Sequence, residues 1–466
     1  MEPRVENGNT GFFPMFDPGF LPAALENRKF LREVQFAGGG VPLKIAIERN
    51  NGLMSVYRTR IFAEGSGMDE KNFFYAERLV KSLLWIYGGW KVIIGGPDCI
   101  GYYIKKCYKP GGLREFDAGF MGRVYEKPFT VEVTDASKVP DAVEKSKPLG
   151  RHLDGCRIGF DAGGSDLKVS AVINGNAVYS EEIVWNPKTK NDPGYHYEHI
   201  IGAMKKAAEH LPNVDAIGVS SAGIYINNRV MAASLFIQVP EDVFNEKVKD
   251  IFLKASEDMG NVPIEVANDG DVTALAGAME LNDTNVLGIA MGTSEAGGYV
   301  DSRGNITGWL NELAFIPVDY HHGAMVDEWS GDFGCGVKYF SQDGVVKLAE
   351  NAGINFNCAA TQAEKLKAVQ NLLNEGDKRA KRIFEDIGCY LGYSLAHYSD
   401  FYDIKHVLIL GRVTSGMGGE LIQQNARQVL RLYFPDLAEK IKLHLPDESS
   451  RRVGQSIAAA SLPEIR

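Results

Sequence analysis

Two apolar runs that stop at a glycine turn and then resume constrain this chain more than any other feature. The first is Cys156–Phe160, broken by Asp161-Ala162-Gly163-Gly164-Ser165 and resumed through Leu167–Ile173 and Ala177–Ile183. The second is Val286–Met291, broken by Gly292-Thr293-Ser294 and resumed through Gly297-Gly298 to Val300. Short apolar runs bounded by glycine read as buried strands. Ala216–Ser220, Ile264–Ala267 and His406–Leu410 have the same form. Helical spacing predicts helices over His199–His210, Val243–Met259, Val272–Glu280 and Ala380–Tyr398, with a small-residue helix over Gly454–Leu462. Strand clusters alternating with helices indicate an α/β class with mixed sheets, and the two strand-rich blocks suggest two lobes of similar design.

A chain of 466 residues is too long for one compact core, which predicts two or three domains. Its 45% hydrophobic and 24% charged content is that of an ordinary globular protein. In the N-terminal third, Leu43–Glu48 and Met54–Ile61 flank Asn50-Asn51-Gly52, a hairpin signature. Glu77–Tyr87 is predicted as a helix with Leu79, Leu83, Leu84 and Tyr87 on one face, and Lys91–Ile94 as a short strand. Residues 1–40 are rich in Gly, Pro and Phe without a period and are expected to wrap over the surface. The polar stretch 136–154 reads as a linker. The expected domains are therefore an N-terminal α+β accessory domain over 1–150, a first lobe over 155–285 plus 450–466, and a second lobe over 286–449.

The formal charge of −10 excludes a broad basic footprint for nucleic acid. Lys105, Lys106 and Lys109 among tyrosines read as a solvated loop. No apolar run reaches the roughly 18 residues of a membrane-spanning helix. The N-terminus is acidic and polar, unlike a signal peptide. Cys99, Cys107, Cys156, Cys335, Cys358 and Cys389 are scattered without CxxC pairing, so a cytoplasmic location is expected.

A carboxylate at a strand end followed by two glycines and a hydroxyl suits a Mg-phosphate site. Gly163 and Gly164 let backbone N–H groups approach phosphate oxygens, Ser165 can donate to them, and Asp161 can hold a metal through water. Taken alone, the run to Lys168 reads equally as a hairpin turn. Gly292, Thr293 and Ser294 repeat the form about one lobe later, so the two turns together could clamp one triphosphate. Val407–Leu410 ends at Gly411, where a nucleotide base could lie close to the backbone. Between the two glycine turns, Asn268-Asp269-Gly270-Asp271 follows a strand and opens an Ala-rich helix. Asp269 there is either a helix N-cap, a role Asp271 could also fill, or a general base. Gly218–Gly223, on its residues alone, reads as an ordinary strand-to-loop turn.

In this order the three glycine-ended segments resemble the two phosphate motifs and the adenosine motif of the actin-like ATPase superfamily, which includes hexokinase and Hsp70. With the Asn268-Asp269 run, residues 155–466 resemble the ROK family of sugar kinases. The resemblance implies a two-lobed, ribonuclease H-like fold, ATP and Mg²⁺ as cofactors, and phosphorylation of a sugar or sugar-like hydroxyl. Within it, Asp269 would be the general base, and Asn268, Glu312, Ser221 and Gly223 would contact the sugar. Asp161, Gly163, Gly164, Ser165, Lys168, Gly292, Thr293, Ser294 and Gly411 would bind ATP, with Asp161 holding Mg²⁺ through water. Gly454–Ala460 resembles the helix that returns to the first lobe, and members of the family commonly form homodimers.

The chain departs from the family pattern at several places. The usual Gly-Glu-x-Gly-His run is Asn311-Glu312-Leu313-Ala314-Phe315, which keeps the Glu and replaces the His. The CxCGxxGC zinc loop aligns with Glu328–Cys335 and retains only Cys335, and a later sugar-binding Glu falls on Val337. His321 and His322 are close by but off the ligand position, so no structural zinc is expected. Ser294 replaces a glycine of the phosphate turn. These departures leave two readings, an ATP-dependent carbohydrate kinase or a non-catalytic sugar- or nucleotide-binding sensor on a degenerate ROK fold. Residues 1–150 contain no recognition helix, so no nucleic-acid partner is expected; that region would cover the cleft or build an oligomer interface.

Overall fold

The computed structural model describes residues 5–6, 9–10, 12–144, 149–164, 166–446 and 448–465. The chain clusters into two compact units. One comprises Met1–Lys145, Ile289–Gly297 and Trp309–Leu445; the other comprises Ser146–Gly288, Gly298–Gly308 and Pro446–Arg466.

In the first unit the predicted hairpin forms: Val41–Glu48 pairs antiparallel with Met54–Ile61. Asn51 and Gly52 turn the chain with φ of 60° and 72°, a region that Asn and Gly tolerate best. The hairpin joins a four-stranded sheet in which Val41–Glu48 also pairs antiparallel with Lys91–Gly95, and the latter pairs parallel with Thr130–Thr134. The helix expected over Glu77–Tyr87 begins earlier, at Asp69. Two expectations are corrected here. Ala23–Phe36 is a 14-residue helix rather than a surface wrap, with Ala23, Ala24, Asn27, Phe30 and Val34 buried. Its inward stripe contains alanine and asparagine, so the apolar period is faint; Phe30 stacks on Tyr75 at 4.2 Å. Lys105 and Lys106 are exposed on a helix, Asp98–Cys107, and not on a loop.

The same unit contains the Lys378–Tyr398 helix, largely buried, which packs against Met417–Tyr433. Gly388 and Gly392 make this close crossing possible: a Cβ on either would come within 2.6 Å of the partner helix. A second four-stranded sheet has the order Glu295–Val300, Val286–Met291, His406–Leu410, Lys442–His444.

The second unit is built on a mixed five-stranded sheet in the order Ile264–Asn268, Ala216–Ser221, Cys156–Ala162, Asp166–Ile173, Asn176–Val184. The first three strands run parallel and the last two pairings are antiparallel. Helix Glu448–Ala460 packs on this sheet, with its main contacts on Cys156–Ala162, Ala216–Ser221 and Asp166–Ile173. A Cβ on Gly159 would sit 2.1 Å from the Ser456 carbonyl oxygen, and one on Gly218 only 1.7 Å from that of Ala459. The helix expected over Val243–Met259 is interrupted: a π-helical turn at Phe244–Val248 precedes a shorter helix, Ile251–Asp258.

Candidate active site

Three neighbouring parallel strands of the second unit end together. Their register sets Asp161 beside Ser220, Ala162 beside Ser221, and Ser221 beside Asn268. Ligands of open α/β sheets gather beyond the carboxyl ends of such strands. Asp161 is buried, accepts a 2.8 Å hydrogen bond from Ser220 Oγ, and lies 3.7 Å from Lys168 Nζ. Burial pushes its carboxyl up, with the Lys168 charge and the Ser220 hydroxyl opposing. Lys168 is also 3.5 Å from Asp166, so one ammonium serves two carboxylates.

The strand-to-helix junction after Ile264–Asn268 settles which residue caps the helix. Asn268, and neither Asp269 nor Asp271, is the N-cap of Asp269–Glu280: its Oδ1 accepts the Gly270 N–H at 2.7 Å. Its Nδ2 donates to the Gly223 carbonyl at 2.7 Å. Asp271 points away and accepts the Tyr299 N–H at 3.1 Å. That leaves Asp269, at the first helical position, with its carboxylate touched only by the Gly270 N–H at 3.0 Å among the hydrogen bonds described, and with part of its surface open to solvent. Gly298 allows a strand to approach this turn, since a Cβ there would lie 2.1 Å from the Gly270 carbonyl.

Asp269 is pushed up from 3.8 to about 6, first by burial and then by the Asp161 charge, with the Gly270 N–H opposing. The folded state therefore holds this proton where the unfolded chain has lost it, so the group's contribution to stability falls as pH rises from about 4 through about 6. Asp269→Asn should melt like the wild type near pH 4 and progressively higher than it towards pH 7. A melting-temperature difference that stays flat over this range would contradict the assigned ionisation.

Ser221 Oγ accepts from the Tyr225 hydroxyl at 2.8 Å. Gly223 has φ of 134° and would collide with the Ala232 carbonyl if it carried a Cβ, so backbone geometry alone demands glycine there. Ser220 and Tyr225 are the neighbours that sequence reasoning missed. The Ser-Ser doublet at a strand end was a usable signal for the first; nothing local marks the second.

In the turn after Cys156–Ala162, the Gly163 N–H closes the hairpin onto the Asp166 carbonyl at 2.9 Å, and Trp185 Nε1 donates to the Gly163 carbonyl at 2.8 Å. Gly164 is exposed, and Ser165 lies outside the described residues. In the first unit the Gly292 N–H closes onto Ser294 at 3.0 Å, leaving Thr293 and Ser294 exposed. Gly411 has φ of 100°, and a Cβ would lie 2.3 Å from the Met291 carbonyl. Strand packing therefore requires this glycine whether or not a base lies nearby. Glu312, in the same unit, is partly exposed; its N–H donates to the Trp85 carbonyl at 3.0 Å, and its charge helps raise the buried carboxyl of Glu295. Phe315 stacks on Trp85 with ring centroids 4.1 Å apart.

Mg²⁺ commonly takes one or two carboxylates, with water and phosphate completing its shell. Asp161 supplies one such carboxylate at a strand end, and a bound cation would offset the burial that disfavours its ionised form. Zinc is a different matter. A structural zinc site needs four Cys or His ligands, and the aligned loop keeps one cysteine, Cys335, whose thiol burial pushes up to about 12. Among the described residues no three His, Cys, Asp or Glu side chains come together as a metal site.

The ROK family model matches residues 157–458. The structure is similar to a ROK hexokinase from Thermus thermophilus, with a TM-score of 0.52 and 16% identity over 66% of this chain and 97% of that one. It is also similar to a ROK family transcriptional regulator, a homolog of the E. coli MLC protein, with a TM-score of 0.53 and 16% identity over 66% of this chain and 79% of that one. At such identity the likeness shows the fold, the mixed α/β fold of the actin-like ATPases. No curated protein matches the chain by sequence.

Proposed function

The chain belongs to the ROK family, and we propose that it is an ATP-dependent kinase acting on a sugar or sugar-like hydroxyl. One observation carries this reading: a partly exposed carboxylate, Asp269, stands within electrostatic reach of a buried one, Asp161, at the ends of the two parallel strands that flank Ala216–Ser221. A general base works best with a pKa near the working pH, and a carboxyl near 6 is ionised yet still basic at neutrality.

In this reading Asp269 takes the proton from the attacking hydroxyl. Asn268 orients the sugar with the hydrogen-bonding capacity its cap leaves over, and Ser221 and Gly223, beside it and bonded to it, add sugar contacts. Glu312 supplies a further sugar contact. The turns at Gly163, Gly164 and Ser165 and at Gly292, Thr293 and Ser294 receive phosphate oxygens, Lys168 supplies positive charge, and Gly411 lies against the base. Asp161 holds a hydrated Mg²⁺, which when bound offsets phosphate charge. We place the phosphate turns in two ATPase lobes, 155–285 with 450–466 and 286–449, with 1–150 as an accessory domain. We expect the protein to act as a cytoplasmic homodimer.

A second reading, a sensor that binds ligand without transferring phosphate, is favoured by Phe315. That ring packs against Trp85 where the resemblance expects a histidine. The two readings separate when the protein is incubated with Mg-ATP and a panel of hexoses, amino sugars and polyols while ADP is followed. Substrate-dependent ADP is expected. Silence across the panel, with ATP still bound by calorimetry, would favour the sensor.

A further inference from the structure

The loop that aligns with the family's zinc site is pinned by something else. Asp332, in its middle, is buried and faces three cations: Arg78 at 3.1 Å, Lys81 at 3.2 Å and Arg114 at 3.0 Å. Arg78 and Lys81 lie on the Asp69–Tyr87 helix, and Arg114 immediately precedes the Glu115–Tyr125 helix. Glu77 pairs with Arg78 at 2.7 Å and with Arg114, and Asp117 pairs with Lys81 at 3.4 Å while accepting from Trp85 Nε1 at 2.7 Å. Glu77, Asp117 and Asp332 thus balance Arg78, Lys81 and Arg114 in formal charge, and every one of the six is at most 3% exposed. Charges so deeply buried persist only when matched in this way.

The loop is organised around this anchor. Its Asp327 N–H donates to the Asp332 carbonyl at 2.8 Å, Ser330 bonds Asp327 through both N–H and hydroxyl, and the Cys335 thiol lies 3.7 Å from the Asp332 carbonyl. Arg78 also covers the Phe333 ring at 4.9 Å. The loop is stitched in turn to the segment carrying Glu312: Val318 N–H donates to the Gly334 carbonyl at 2.8 Å and Gly336 N–H to that of Ile316 at 2.9 Å. One turn beyond Lys81, the same helix offers the Trp85 and Ile86 carbonyls to the N–H groups of Glu312 and Asn311, each at 3.0 Å.

We infer that the Asp69–Tyr125 region is an internal, metal-free clamp: Arg78, Lys81 and Arg114 do for the 325–335 loop what a bound divalent cation would do, and the helix end fixes the backbone of Glu312. This assigns a role to the N-terminal region and explains how a loop with a single cysteine stays ordered. Only the consequence for Glu312 as a sugar contact rests on the kinase reading. The clamp itself does not.

The test uses the full-length protein and amide hydrogen exchange, so it is independent of turnover. Asp332→Asn is nearly isosteric and leaves one cation unmatched. It should speed exchange in residues 325–335 and at Asn311 and Glu312 by at least about tenfold, while strands Cys156–Ala162, Ala216–Ser221 and Ile264–Asn268 keep wild-type rates. If that variant fails to fold, Asp332→Asn combined with Lys81→Met restores the charge balance and should show the same loop-specific acceleration. Wild-type exchange and melting should be indifferent to a strong zinc chelator. The clamp is overturned if the loop of either variant exchanges at the wild-type rate. It is equally overturned if the purified protein carries stoichiometric zinc whose removal loosens the loop.

Discussion

Asp269→Asn is expected to lower turnover by about 10²- to 10⁴-fold while leaving nucleotide affinity within a few-fold of the wild type. The asparagine preserves size and can still accept the Gly270 N–H, so the helix start should survive; what it loses is a basic oxygen. Asn268, not Asp269, provides the cap, which separates the chemical role from the structural one. The neighbouring Asp271→Asn provides the contrast. Its carboxylate accepts the Tyr299 N–H, a bond an asparagine oxygen can also accept, so that variant should leave the chemical step near the wild-type rate. Isothermal titration with a non-hydrolysable ATP analogue, beside steady-state ADP release, measures both halves. Full activity in Asp269→Asn would remove the residue from the mechanism.

Gly218→Ala should be the most damaging single methyl in the molecule's second unit. The added Cβ would lie 1.7 Å from the Ala459 carbonyl oxygen and 2.5 Å from its carbon, and both are helix backbone that cannot rotate aside. The Glu448–Ala460 helix would have to lift off strand Ala216–Ser221, losing contacts with the strands that present Asp161 and Ser220. Overpacking of this kind costs about 3 kcal/mol or more. For a unit of this size that lowers the melting temperature by roughly 6–12 °C. Gly119→Ala is the internal control. It sits mid-helix with nothing within 4 Å of the added methyl, so it should be neutral or stabilise by about 0.5–1 kcal/mol. Equal melting of Gly218→Ala and wild type in a thermal scan would show that the helix does not rest on this strand as described.

Much of the second unit was legible in the sequence because its signals are local. A strand that ends in Asp-Ala-Gly-Gly, or in Asn-Asp before an alanine-rich helix, announces its turn chemistry within a few residues. The Asn51-Gly52 hairpin did the same in the first unit. Elements with diluted signals were lost. Ala23–Phe36 hides its buried stripe behind alanine and asparagine, and the π-helical turn at Phe244–Val248 interrupts an otherwise continuous amphipathic period.

The sequence by itself determined the family, the order of the glycine turns and the candidacy of Asp269, since each depends on residue type and short spacing. Only the tertiary structure decided that Asn268 takes the cap, that Gly411 is demanded by Met291, and that the Asp161 charge helps push the Asp269 carboxyl up. It alone brought Arg78 to Asp332 across 254 residues of chain. Turn and cap preferences act through bonds between near neighbours and so leave a mark in short stretches of sequence. Burial and Coulomb interactions depend on distance in space, which a linear sequence does not record.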